Sequence, residues 1–129
     1  METQRANSQF TIVAIDDEPI NLATLSEILA NEGYRVIVTS RARKAIALIK
    51  NQLPDLILLD IYMPGLNGIE ICRALRDDPV CREIPVIFLT ASTSDNELGY
   101  GAGAKDYIVK PFAAEVLLSC VAKQLHSSR

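Results

Sequence analysis

The chain has 129 residues and a mass of 14.2 kDa, the size of one ordinary domain. Apolar residues make up 49% and charged residues 22%, which excludes a disordered chain, and no apolar run approaches the roughly 18 residues of a membrane span. A net charge of −3 gives no electrostatic reason for nucleic-acid binding. The opening METQRANSQ has no apolar stretch of the kind a secretory signal needs. Cys72, Cys81 and Cys120 are odd in number and show no C-x-x-C spacing, which points to reduced thiols in a cytoplasmic protein and not to a disulfide framework or a zinc site.

Apolar runs and breakers alternate along the chain. FTIVAI, Phe10 to Ile15, predicts a first strand ending at Asp16. Pro19 suits the first position of a helix, and Leu22, Leu25, Ile28 and Leu29 share one face up to a stop at Gly33. Tyr34 to Thr39 reads as a second strand, and Ala42, Ala45, Ile46 and Ile49 repeat at helical spacing until Pro54. Leu56 to Leu59 is a buried-strand run ending at Asp60. Pro64-Gly65 marks a turn, and Ile69, Ile71, Ala74 and Leu75 suggest a helix reaching about Arg76. A fourth strand, Ile84 to Leu89, ends at Thr90. The next helix, Ala91 to Ala102, is weak, because Gly99 and Gly101 each cost about 1 kcal/mol relative to alanine. Lys105 to Val109 gives a fifth strand running into Lys110-Pro111, and Ala114 to Leu125 a final helix with Leu118, Val121, Ala122 and Leu125 inward.

Five apolar strands alternating with five helices predict an α/β, doubly wound (βα)5 fold. Its five-stranded parallel sheet has order 2-1-3-4-5, with helices on both faces. The expected domain spans residues 10–126, with loose tails at 1–9 and 127–129. Only HSSR follows the last helix, so no output domain is expected within these residues.

Ligands of such sheets bind at the carboxyl ends of the strands, where the order reverses. The residues placed there are Asp16, Asp17 and Glu18 after strand 1, Asp60 on strand 3, Thr90 on strand 4 and Lys110 after strand 5. Any one acid at a strand end is an ordinary solvated turn residue. Together, three carboxylates against one lysine leave a formal charge of about −2, and two like charges about 4 Å apart repel by roughly 4 kcal/mol at an effective dielectric of 20. A hard cation belongs there, Mg²⁺ or alternatively Mn²⁺, and not zinc.

Asp16-Asp17, LILLDIYMPGLNGIE around Asp60, FLTA with Thr90 and AGAKDYIVKPF with Lys110 occur in this order on these strands. In these motifs the chain resembles a response-regulator receiver domain from about Phe10 to Leu125. The resemblance implies a signalling switch and not an enzyme, with Asp60 as phosphoacceptor for a sensor histidine kinase or histidine phosphotransfer protein. It implies Mg²⁺ held by Asp16, Asp17, Asp60 and the backbone carbonyl of Tyr62. Lys110 and Thr90 would contact the phosphoryl oxygens, Tyr107 would be the aromatic switch residue, and the Lys110–Pro111 bond would be cis. It also implies that the face formed by helix 4, strand 5 and helix 5 serves a homodimer or an output partner.

Two other chemistries fit the architecture less well. A flavin binder needs a Ser/Thr/Gly-rich phosphate loop after strand 1, where Asp16-Asp17-Glu18 would repel the phosphate. A phosphatase of the haloacid dehalogenase type needs an acid two residues after its nucleophile, where this chain has Tyr62. Thr90 and Tyr107 stand about two residues closer than is usual for receivers, which places a shortening around Ser92 to Leu98 and predicts an atypical fourth helix. GYGAG ends a helix and is not expected to be a nucleotide loop, RARK (Arg41 to Lys44) reads as a solvated helix start, and His126 as incidental. Among the cysteines, only Cys81, in a polar loop, has a claim to reactivity.

Overall fold

A computed structural model describes residues 6–91 and 100–126. Five parallel strands, β1 (Thr11–Ile15), β2 (Arg35–Thr39), β3 (Leu56–Asp60), β4 (Val86–Thr90) and β5 (Asp106–Val109), form one sheet in the order β2-β1-β3-β4-β5. Four described helices, α1 (Pro19–Asn31), α2 (Ala45–Gln52), α3 (Gly68–Arg76) and α4 (Ala114–Leu125), cover it. The expected fold and strand order stand, with strand boundaries shifted by one or two residues. The predicted helix at 91–102 falls largely on residues 92–99, outside those described, and so does the expected shortening at Ser92 to Leu98. Residues 100 and 101 are helical. Among the described residues, no helix is long and apolar enough to cross a membrane.

The two-residue period of the strands sorts their side chains into two cores. Val13, Ile15, Ile57, Leu59, Val86 and Phe88 meet Ala45 and Ile49 of α2 and Ile69, Cys72 and Leu75 of α3. Ile12, Ala14, Leu56, Leu58, Ile87 and Leu89 meet Leu22, Leu25 and Leu29 of α1 and Leu117 and Val121 of α4. Because both faces are covered, β3 and β4 are buried at every residue, which is why they read as unbroken apolar runs and not as alternating ones.

Helix ends follow local chemistry. Pro19 opens α1, and Gly33, at φ 97°, lets the chain reverse after it. Asn67 caps α3 by accepting from the Glu70 N–H at 2.9 Å, while the Glu70 carboxylate accepts from the Asn67 N–H at 3.0 Å; this reciprocal box stabilises the helix start by about 1 kcal/mol. A 3-10 turn, Ala42–Lys44, precedes α2, so RARK is an exposed helix entry apart from buried Ala42.

Several local expectations need correction. Residues 7–9, assigned to a loose tail, form a 3-10 turn: the Asn7 amide donates to the Glu32 carbonyl at 2.6 Å. The Asn7 side-chain oxygen lies 2.8 Å from the His126 ring, whose edge meets Phe10 at a centroid distance of 5.0 Å. His126 is therefore part of a clasp between the two ends of the described chain and is not incidental. The residues 127–129 lie outside the described set. On α3, Ala74 is exposed and Cys72 is buried in its place; on α4 the fully buried positions are Leu117 and Val121, one turn apart, while Leu118, Ala122 and Leu125 are half-buried. Cys81 is fully buried, and burial pushes its thiol pKa upward, which removes its claim to reactivity.

The loop leading into β4 is held by Arg76, whose guanidinium donates to the carbonyls of Arg82 at 2.7 Å and Ile84 at 2.6 Å. Arg76→Ala should cost about 2 kcal/mol through these two charge-assisted bonds, and Arg76→Lys should recover little of it, since an ammonium lacks the two-pronged planar geometry. Urea unfolding midpoints at unchanged slope would measure the loss.

Candidate functional site

The carboxyl ends of β1, β3 and β4 lie side by side because β1 and β4 flank β3. Asp16 follows β1 and is fully buried, Asp17 is half-buried, and Asp60, the last residue of β3, is 5% exposed. One carboxylate oxygen from each of these three residues lies within 4.8 Å of the others. Lys110, after β5, reaches across with its ammonium 3.0 Å from Asp16 Oδ2 and 3.4 Å from Asp60 Oδ1. Thr90 is buried at the end of β4, and its carbonyl accepts from the Lys110 N–H at 2.7 Å, which ties the two strand ends together. The Lys110–Pro111 peptide is cis.

The electrostatics follow from this crowding. The Asp60 carboxyl is pushed up to about 7, first by burial and then by repulsion from Asp16, with a hydrogen bond to Asp17 adding to it and Lys110 pulling the other way. For Lys110, burial works against the charge. The hydrogen bonds to Asp16 and Asp60 and the attraction of both carboxylates outweigh it, so the ammonium stands above its ordinary pKa. Asp16 is further held by the Glu18 N–H, which donates to Oδ1 at 2.9 Å, and by the Asn21 amide at 3.4 Å from Oδ2. The Asn21 amide also donates to the Glu18 carboxylate at 2.7 Å. Three oxygen donors on a site of excess negative charge suit a hard divalent cation, so the residues present fit Mg²⁺.

The expected site residues thus divide into two groups. Asp16, Asp17, Asp60 and Lys110 are brought into one cluster, with Thr90 on the adjoining strand end. Tyr62, two residues beyond Asp60, is 60% exposed. Tyr107 stands in register with Phe88 on β4, and its ring meets the Tyr100 ring in a T-shaped contact at 5.8 Å. Two supporting residues escaped the sequence reading. Asn21 was detectable in principle, since it lies one helical turn after Glu18. Gly68 was not: a Cβ on it would run into the Asp60 carbonyl oxygen and sit 3.0 Å from Ile61 Cα, a proximity that depends on how α3 packs over the end of β3.

Comparison with known proteins agrees with this geometry. The profile of the family described as "Response regulator receiver domain" matches residues 12–122. The DNA-binding response regulator MtrA of Mycolicibacterium smegmatis is 37% identical over 127 residues, covering 97% of this chain and 53% of MtrA. A probable cyclic di-GMP phosphodiesterase of Vibrio cholerae is 38% identical over 124 residues, covering 95% of this chain and 28% of that protein. The chain therefore spans about half or less of the length of these curated relatives. The crystal structure of the receiver domain of sensor histidine kinase PA1611 from Pseudomonas aeruginosa, with a magnesium ion coordinated in its active-site cleft, matches at a TM-score of 0.85 and 31% identity, covering 92% of this chain and 98% of that one. This chain belongs to the response-regulator receiver domain family, the signalling modules of two-component systems.

Proposed function

We propose that residues 10–126, with the turn at 7–9 packed onto them, act as a cytoplasmic phosphoacceptor switch that takes a phosphoryl group on Asp60. The donor is a phosphohistidine on a sensor kinase or a histidine phosphotransfer protein. The observation that carries this reading is the convergence of Asp16, Asp17 and Asp60 within 4.8 Å beside the Lys110 ammonium. Asp16, Asp17, Asp60 and the Tyr62 carbonyl would hold Mg²⁺, whose charge, when bound, offsets the negative oxygens of the transferring group.

Phosphoryl transfer asks a protein mainly for positioning and charge stabilisation. Asp60 supplies the nucleophilic oxygen: its bond to phosphorus forms as the bond from phosphorus to the donor nitrogen breaks. Lys110, already 3.4 Å from Asp60, is placed to pair with a phosphoryl oxygen. The product puts nearly two extra negative charges and three acceptor oxygens at the end of β3. Thr90, on the next strand end, is placed to donate to one of them. Movement of Thr90 would alter the space available to Tyr107, whose present partner Tyr100 is half-exposed, and so change the face formed with β5 and α4. That face would serve a homodimer or an output partner. The relatives differ in output, one being DNA-binding and one a probable phosphodiesterase, and the receiver is the part they share with this chain.

Incubated with acetyl phosphate and Mg²⁺, the protein should incorporate about one acid-labile phosphate, and Asp60→Asn should incorporate none while keeping its circular dichroism. Stoichiometric labelling of the variant would overturn the assignment.

A further inference from the structure

Charge is unevenly distributed along the chain. Residues 33–54, which hold β2 and α2, carry Arg35, Arg41, Arg43, Lys44 and Lys50 and no acid, while the rest of the chain holds eight cations against sixteen acids. Three of these cations come together. Arg41, Arg43 and Lys44 line a pocket of about 460 Å³ with Ser40 and Met63, and Asp17 forms the wall it shares with the acidic cluster. The Arg43 head lies against the loop after β3, with its Nε 3.6 Å from where a Cβ on Gly65 would stand. Among the described residues none of the three heads is in an ion pair, in contrast to Lys50, which is 2.9 Å from Asp78, and Lys110, bound to Asp16 and Asp60. Arg41, Arg43 and Lys44 against the one carboxylate of Asp17 leave this pocket about +2 in formal charge, beside Asp16, Asp60 and Lys110, which together add about −1.

We propose that this pocket is an anion subsite for small phosphodonors: it holds a second anionic group, carboxylate or phosphate, remote from the phosphoryl group being transferred. The proposal rests on the phosphoacceptor reading and names the donor class. Asp17 links the two sites, since its carboxylate lies within 4.8 Å of an Asp60 oxygen and also lines the pocket, so a second carboxylate on a donor bound at Asp60 would meet cations that form no ion pair among the described residues. In the transfer, the Asp60 oxygen–phosphorus bond forms and the phosphorus–oxygen bond to the acyl group breaks, the electron pair leaving with that oxygen as a carboxylate. Succinyl phosphate would depart as succinate, a dianion that the pocket also retains.

Two measurements test this. In the first, wild type, Arg41→Gln/Arg43→Gln and the equal-charge control Lys105→Gln/Lys123→Gln are labelled at low ionic strength with succinyl phosphate and with acetyl phosphate. The succinyl-to-acetyl rate ratio should fall about three- to tenfold in the pocket variant and stay at the wild-type value in the control, whose cations are exposed and outside the pocket. An equal fall in both variants, or none in either, would overturn the subsite, since net charge alone would then account for donor preference. In the second, the Asp60→Asn protein is titrated with succinate and followed by backbone amide shifts. Saturable shifts confined to residues 40–44 and 63–65, absent after Arg41→Gln/Arg43→Gln, support the subsite independently of labelling. Shifts that do not saturate overturn it. Saturable succinate binding in a wild-type protein that neither donor labels would overturn the phosphoacceptor reading, and with it the donor role of the pocket.

Discussion

Asp60→Asn should make the metal-free domain more stable at pH 8, by up to about 4 kcal/mol, although it removes an ion-pair partner of Lys110. The Asp60 carboxyl stands at about 7 in the folded protein against an ordinary 3.8. Well below pH 3.8 it is protonated in folded and unfolded chains alike and costs nothing. As the pH rises towards 7, the unfolded chain releases its proton while the folded one holds it, so wild-type stability falls through that window and levels off above it. Asparagine does not titrate, so the advantage of the variant should be small at pH 4, grow between pH 4 and 7 and be complete at pH 8. Lys110 keeps its partner Asp16 at 3.0 Å, which limits what the substitution loses. Urea midpoints at pH 4, 6 and 8 in the presence of a chelator measure the effect, and a gap that does not change with pH would contradict it. Added Mg²⁺ should stabilise the wild type more than the variant, because the variant has one ligating carboxylate fewer.

Gly68→Ala should destabilise the domain by about 3 kcal/mol and weaken Mg²⁺ binding at the same time. The Gly68 N–H donates to the Ile61 carbonyl at 2.7 Å, and a Cβ on Gly68 has no room beside the Asp60 carbonyl oxygen. Both contacts are with backbone, which cannot rotate aside as a long side chain could. The first turn of α3 or the end of β3 must therefore shift, and the end of β3 carries Asp60. Gly101→Ala is the matched comparison: nothing lies within 4 Å of a Cβ there, and the position is helical, so that variant should be neutral or stabilising by about 0.5–1 kcal/mol. Equal effects at the two glycines, measured by urea unfolding and by Mg²⁺ titration, would refute the packing argument.

Sequence pattern made the central strands legible because β3 and β4 are enclosed on both faces, leaving apolar runs with few alternative explanations. The acids after β1 and at the end of β3 stood out for the complementary reason: a carboxylate at the end of a buried strand is costly unless something is bound or paired there. Segments whose burial depends on distant partners were read less well. DDPVCRE looks like a solvated loop, yet Cys81 within it is fully buried in the core, where Arg76 holds the adjoining Arg82 and Ile84 carbonyls. Asn7 and His126 are 119 residues apart and neither has a local pattern, so their hydrogen bond had no sequence signal. On α4, the helical period allowed several inward faces, and only packing against the sheet selected Leu117 and Val121.

The order of apolar and breaking residues by itself determined five parallel strands with helices between them. With crossover handedness, it also determined which strand ends stand together, because hydrophobic periodicity and chain connectivity are local properties. It also named the acids, the lysine and the threonine at those ends. Only the tertiary structure decided that three carboxylates approach within 4.8 Å, that burial lifts Asp60 towards neutrality, and that Arg41, Arg43 and Lys44 border the same wall as Asp17. Distances between residues far apart in sequence, and the loss of water around them, follow from how whole elements pack, and Coulomb energies depend on both.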